Sequence, residues 1–221
     1  MFLGHFGLAY AAKRVEPRVP LWVLFGATQL VDIGWMFFIL FDLERVEISP
    51  GITDANALNF VDYPYTHSLL GACVWTALAM IGAWLWFRTR SLSLRPTVVI
   101  GLIVLSHFWL DVIVHRPDLT LAGERTATLG FGLWNSIPAT LILELGMLGA
   151  GMWLYYSATR PVSNGGVWGQ IVFMTALTVL WIPSVFGSVP PNTVAISITG
   201  IVTTPMILLT THWLERKRVT V

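Results

Sequence analysis

Residues 95–116 read RPTVVIGLIVLSHFWLDVIVHR. Between Arg95 and Arg116 lies one unbroken, mostly apolar run. About 20 residues at 1.5 Å each reach across the roughly 30 Å hydrocarbon of a bilayer, so this run is a spanning helix. Its only ionisable residues, His107, Asp111 and His115, fall at successive i, i+4 positions and share one face. The run is continuous rather than alternating, which excludes a spanning β-barrel.

Five further stretches have the same character, at 19–41, 64–87, 131–157, 167–186 and 192–214. The whole chain of 221 residues agrees with them: 55% is apolar and only 11% charged, against roughly 25% charged in a soluble domain. A mean hydropathy of +0.71 excludes a disordered chain and a nucleic-acid partner, and argues against a soluble enzyme. The expected fold is all-α: a polytopic transmembrane bundle of six spanning helices in one integral membrane domain. Within it, 1–18 forms an N-terminal half-helix, 19–120 carries spans one to three, and 121–221 carries spans four to six. Cys73 is the single cysteine and forms no internal disulfide. No cleavable signal peptide is visible. Pro138, Pro183 and Pro205 lie inside the apolar runs and are expected to kink helices or mark their ends.

Charge fixes the expected orientation. Lys13, Arg14, Arg18, Arg88, Arg90, Arg95, Arg160, Arg216, Lys217 and Arg218 lie on one side, ten of the thirteen basic residues. Arg45, Arg116 and Arg125 lie on the other, with Asp42, Glu44, Glu47, Asp54, Asp62, Asp118 and Glu124. The positive-inside rule makes the first side cytoplasmic, with both termini there, and a bacterial inner membrane is the expected location.

Residues 2–12 are apolar but too short to cross. With Lys13 and Arg14 at the cytoplasmic face, this segment either rises partway as a half-helix whose free end is surrounded by protein, or lies flat at the interface.

Ionisable side chains within hydrocarbon cost several kcal/mol and are functional suspects. They are Asp32, His67, His107, Asp111, His115 and Glu144, with His5 if the half-helix is real. Counting rise per residue, Asp32 and His107 lie about 18 and 17 Å from the cytoplasmic start of their spans and Asp111 about 22 Å, so they can meet in the outer half of the bilayer. His67 and His115 lie above them. A His/Asp pair at i, i+4 can hold one ion, but the stripe from His107 to His115 is about 12 Å long and cannot serve a single one. Glu144 fits helix adhesion as well as function, and His212, beside Glu215 and Arg216, reads as interfacial. Trp35, Trp109 and Trp134 read as packing.

The same residues carry a resemblance. Gly4-His5 opens the short segment; Asp32 sits in Leu30-Val31-Asp32-Ile33-Gly34-Trp35; Tyr65-Thr66-His67-Ser68-Leu69-Leu70 and Ser106-His107-Phe108-Trp109-Leu110-Asp111 follow. In this order they resemble the LexA-regulated membrane-bound metal-dependent hydrolases of bacterial inner membranes, over about residues 4–120. The resemblance implies a metal set of His5, Asp32, His67, His107 and Asp111. Gly34 and Trp35 stand where that family has a second Asp and a His, and Asp62-Tyr63-Pro64 stands where it often has His-Arg-Gly. His115 and the segment through Asp118 are additional here.

Imidazole and carboxylate ligands suit a divalent metal, zinc before iron or manganese. Such an ion lowers the pKa of water to about 7. In this reading His67 or Asp62 serves as base or proton donor, Arg116 holds a phosphate and His115 contacts substrate. The expected substrate is a lipid or lipid-linked (phospho)ester at the outer leaflet, with membrane lipids the natural surroundings. Two other classes use the same residues: a permease of a small solute or metal ion, and a noncatalytic subunit whose polar groups glue helices. A pocket reaching the outer surface favours the enzyme, a pathway to both faces the permease, and a dry cluster the subunit.

Overall fold

The structure, a computed structural model, describes residues 1–88, 94–123, 126–187 and 189–221; Arg90, Glu124 and Arg125 of the charge analysis lie outside them. Eight α-helices follow in chain order among the described residues: α1 (Leu3–Val15), α2 (Leu21–Leu40), α3 (Pro64–His67), α4 (Leu69–Arg88), α5 (Arg95–Val114), α6 (Ile137–Ser157), α7 (Asn164–Val185) and α8 (Thr193–Glu215). All but α1 and the one-turn α3 are long and apolar enough to cross a membrane. The chain is an all-α helical bundle and an integral membrane protein.

Burial runs inside out, as a lipid solvent requires. Leu78, Ile81 and Trp84 of α4 and Leu180 of α7 are exposed, while His5, Gln29, His107, Asp111 and Glu144 are buried. With lipid as apolar as leucine, nothing drives apolar side chains inward, and polar groups must find partners inside. The centre is α5 and α2, whose spans are 61% and 50% buried; α4 and α7, at 17%, form the wall.

α1 is the innermost element. Leu3, Phe6, Ala9 and Tyr10 have no exposure, so the half-helix holds and the flat interfacial alternative fails. It lies against α6, where Gly7 and Gly151 bring the two backbones together: a Cβ on Gly151 would meet the Gly7 carbonyl, and one on Gly7 the backbone of Met147. Only glycine permits that approach.

Two of the expected spans are shorter than their apolar runs. In the second, Ser68 is extended (φ −88°, ψ 159°) and separates α3 from α4. The fourth starts at Ile137, not 131; Ser136 caps it through Ala139 N, and Pro138 sits in its first turn rather than at a kink, where its missing N–H costs nothing. Pro183 and Pro205 do lie within α7 and α8.

Three antiparallel two-stranded ribbons close the ends: β1 (Arg45–Ile48) with β2 (Leu58–Asp62), β3 (Leu119–Thr120) with β4 (Thr128–Leu129), and β5 (Thr159–Pro161) with β6 (Arg218–Thr220). The first two lie at one end of the bundle, the hairpin end. The third lies with Arg160 and Lys217 at the other, the basic end, where buried Arg218 donates to the Thr159 and Gly166 carbonyls.

Candidate metal centre

Four helices place the His/Asp group. α2 contributes Asp32, α5 His107 and Asp111, α1 His5, and α3 His67. The break at Ser68 aims the last of these. Ser68 Oγ accepts from Gly71 N (2.9 Å) and so caps α4, which frees the preceding turn to follow its own direction. Within Thr66-His67-Ser68, then, one residue orients, one is aimed inward and one caps.

Two imidazoles are held in a single tautomer. His107 Nδ1 lies 2.9 Å from the Thr28 carbonyl. A carbonyl only accepts, so Nδ1 carries a hydrogen, and in the neutral ring Nε2 offers a lone pair. Thr66 Oγ1 donates to Glu44 Oε2 (2.6 Å); with its one hydrogen committed, it accepts from His67 Nδ1 (2.8 Å), and Nε2 of the neutral His67 ring offers a lone pair as well. Glu44, in the loop after α2, also takes the Tyr65 and Thr66 amides (2.8 and 2.9 Å). Burial pushes its carboxyl above the ordinary value while these donors pull the other way.

Both lone pairs meet carboxylates. His107 Nε2 is 3.1 Å from Asp111 Oδ2 and 3.4 Å from Asp32 Oδ1; His67 Nε2 is 3.4 Å from Asp32 Oδ1 and 3.7 Å from Asp111 Oδ2. His5 Nε2 is 3.4 Å from Asp111 Oδ1, and its ring stacks on His107 at 4.1 Å and 3°. Yet neither His5 nitrogen, nor Nε2 of His107, makes a hydrogen bond, and all three atoms are buried. Neutral imidazole lone pairs facing carboxylates at these distances would be matched by a cation between them. Ligands at 2.0–2.2 Å around a tetrahedral ion stand about 3.3–3.6 Å apart, close to the spacings found. Two overlapping triads result, Asp32/His67/His107 and His5/His107/Asp111, each with donor atoms within 4.8 Å. The residues fit a divalent metal.

The floor of this site is the start of α1. The Met1 nitrogen lies 2.7 Å from Asp111 Oδ1. Glu144, from α6, accepts from Phe2 N (2.9 and 3.2 Å) and Gly4 N (2.7 Å). It caps α1 inside the bundle, satisfying amides that the helix itself leaves without partners.

His115, one residue past α5, belongs to neither triad. Its Nδ1 is 3.1 Å from Asp118 Oδ1, which also accepts from the Tyr63 hydroxyl (2.8 Å). Burial lowers the His115 pKa from its ordinary value; burial first, then Asp118, raises that of Tyr63. The neutral ring donates through Nδ1 and keeps a lone pair on Nε2. Phe60 and Trp134 pack on it at 4.6 and 4.3 Å.

A cavity of about 640 Å³ reaches the cluster, lined by Asp32, His67, Asp111, His115 and Glu144 on one side and by α7 and α8 on the other. It extends to the loops at Ala55–Leu58 and Val189–Pro191, at the hairpin end; among the described residues none of the basic end lines it.

Other expected residues lie elsewhere. Asp62 closes β2 opposite Arg45 and does not line the cavity. Arg116 holds Asn59 Oδ1 (2.9 Å) and Asp118 Oδ2 (3.6 Å), also off the cavity. Trp109 is half exposed. His212 packs edge-on to Trp22. Sequence reasoning missed Glu44 and Thr66 as orienting groups and Gln29 as a cavity residue. The Gln29 signal was present: it precedes Asp32 by three positions, on the same face of α2. No family model, curated protein or solved structure matches this chain.

Proposed function

We propose that this protein is a membrane-embedded metal-dependent hydrolase, of the LexA-regulated inner-membrane type its motifs resemble, acting on a lipid or lipid-linked ester of carboxylic or phosphoric acid. One observation carries the reading: His67 and His107, each anchored through Nδ1 to an oxygen behind it, turn their Nε2 atoms onto Asp32 and Asp111 at 3.1–3.7 Å, and His107 Nε2 is buried without a well-aligned hydrogen bond. Helix adhesion has no use for that arrangement, because it leaves polar atoms unsatisfied that a simple His–Asp hydrogen bond would satisfy.

Asp32, His67, His107 and Asp111 would hold the ion, with His5 at its rear; zinc suits this set best. When bound, the ion supplies Lewis acidity toward water and toward the ester oxygen. The chain's own residues do the rest. His115, braced by Asp118 and Tyr63, takes the proton of the attacking water on Nε2 and returns it to the leaving alkoxide. Water's oxygen joins the acyl carbon or phosphorus, the ester C–O or P–O bond breaks, and an acid and an alcohol result. Asp62, away from the cavity, has no part in this proposal.

The cavity's reach to the hairpin end alone favours this over a permease, which needs access from both faces. By the positive-inside rule that end would face the non-cytoplasmic side of a bacterial inner membrane, with the Lys13 end of α1 and the C-terminus at the cytoplasmic face; the expected cytoplasmic N-terminus is corrected, because Met1 lies inside the bundle beside Asp111.

The test is metal content by elemental analysis of the purified protein. About one or two ions per chain are expected in the wild type, and almost none in His107→Ala/Asp111→Ala. A wild type without stoichiometric metal after exposure to zinc, iron or manganese would end the proposal.

A further inference from the structure

The cavity carries a charge pattern that selects its ligand. Asp32, Asp111 and Glu144 line it, and among the described residues no lysine or arginine does. A phosphate monoester or diester normally meets guanidinium or ammonium groups. Arg116, the nearest candidate by sequence, is turned to Asn59 and Asp118 instead. An anion here would approach three carboxylates offset only by the ion and by the Met1 nitrogen, which is already paired with Asp111.

What the cavity offers instead is neutral donors. Gln29 and Trp35 both line it, at 3% and 5% exposure. Gln29 Nε2 and Trp35 Nε1 are buried without a hydrogen-bond partner. On α2 they stand three positions before and three after Asp32, so both share its face and bracket it by about 4.5 Å along the axis each way. Trp Nε1 can only donate, and the Gln amide NH₂ likewise. Buried donors without partners are rare in folded proteins and point to an absent acceptor. Across the cavity, Trp181 and Val185 of α7 and Ile196 and Ile207 of α8 give an apolar wall, the surface an alkyl chain needs.

Resting on the hydrolase reading, we propose that the ligand is an uncharged lipid carboxylic ester with more than one oxygen, of acylglycerol type. Its neutral oxygens accept from Gln29 Nε2 and Trp35 Nε1, which hold the ester beside Asp32, and its alkyl chain lies against α7 and α8. Gln29 and Trp35 are substrate-binding residues that also exclude phosphoesters, because they supply donors without supplying charge.

The experiment uses the full chain in nanodiscs and three probes of one chain length: monododecanoylglycerol, monododecyl phosphate and dodecyltrimethylammonium. Binding is measured by titration calorimetry, with metal content determined on the same samples. The neutral ester should bind at least tenfold more tightly than either charged probe. Gln29→Leu and Trp35→Phe should each weaken it by about two- to twelvefold, the loss of one net hydrogen bond, with metal content unchanged. Equal or tighter binding of the phosphate or the ammonium overturns the proposal, as does failure of all three to bind. Unaltered ester binding in both variants overturns the assignment of the donors. A metal-free wild type that still prefers the ester through Gln29 would sink the hydrolase reading and leave this binding site standing.

Discussion

Replacing Glu144 by leucine separates a helix cap from a catalytic acid. The carboxylate is 1% exposed and takes the amides of Phe2 and Gly4 at 2.7–3.2 Å. Leucine removes the acceptor and leaves two buried amides at the start of α1, where lipid and protein offer no substitute. A hydrogen bond to a charged group is worth about 1.5–3 kcal/mol, so two donors lose about 3–6 kcal/mol. For a chain of this size each kcal/mol shifts Tm by about 2–4 °C, giving a fall of about 6–24 °C. Glu144→Gln keeps one carbonyl oxygen but turns an NH₂ toward the second amide, and should lie between. The eleven tryptophans give the fluorescence signal for thermal unfolding in detergent. Because α1 carries His5, bound metal should fall with Tm in the leucine variant. A leucine variant melting within about 2 °C of wild type, with full metal, would refute the capping argument and return Glu144 to the list of acids.

Thr66→Val removes the acceptor that fixes the His67 tautomer without touching a ligand atom, so competition with a chelator should show metal affinity reduced about 10–100-fold, with Tm lowered by about 3–12 °C because Glu44 also loses its Thr66 donor; unchanged affinity would mean that His67 needs no orienting partner. Gly151→Ala drives a Cβ into the Gly7 carbonyl and should cost about 1–3 kcal/mol, read as a lowered Tm, whereas Gly82→Ala on α4, with open space at its Cβ, should be neutral or slightly stabilising.

The spans were legible because a bilayer demands about 20 apolar residues whatever packs around them, and the i, i+4 stripe of α5 was legible because helical geometry is local. The ends of spans two and four were not. Phe131, Leu133 and Trp134 continue the apolar run without continuing the helix, Trp134 lining the cavity and packing on His115, and hydropathy cannot tell such a loop from a span. Tyr65-Thr66-His67 runs directly into an apolar helix in the sequence, and its separation depends on Ser68 turning to cap α4. His115 parted from the rest of its stripe because α5 stops at Val114 and Asp118 folds back onto the ring. Glu44 gave no signal at all. It sits in an ordinary acidic loop, and its partners, 21 and 22 residues away, are fixed only by the tertiary fold. Trp35 read as packing, which its contacts with Phe60 and His67 bear out for the ring, but packing does not account for the indole N–H.

The half-helix explains why such a site can exist at this depth. A helix that ends within hydrocarbon exposes four amides, and lipid cannot satisfy them, so α1 stands only where protein closes both its ends. Glu144 does so at the start. At the other end Lys13 reaches the Pro17 and Val19 carbonyls and Glu215, tying α1 to the last turn of α8. Pinned at both ends and pressed against α6 through Gly7 and Gly151, α1 has little freedom to shift. His5 therefore stacks on His107 as a fixed wall, and the Met1 nitrogen occupies Oδ1 of Asp111, leaving Oδ2 toward His67 and His107. The two oxygens of Asp111 thus face different environments, one closed by α1 and one beside the cavity. An ion held by Asp32, His67 and His107 would face the cavity that Asp32 and His67 line, the asymmetry that the proposed hydrolytic reading requires.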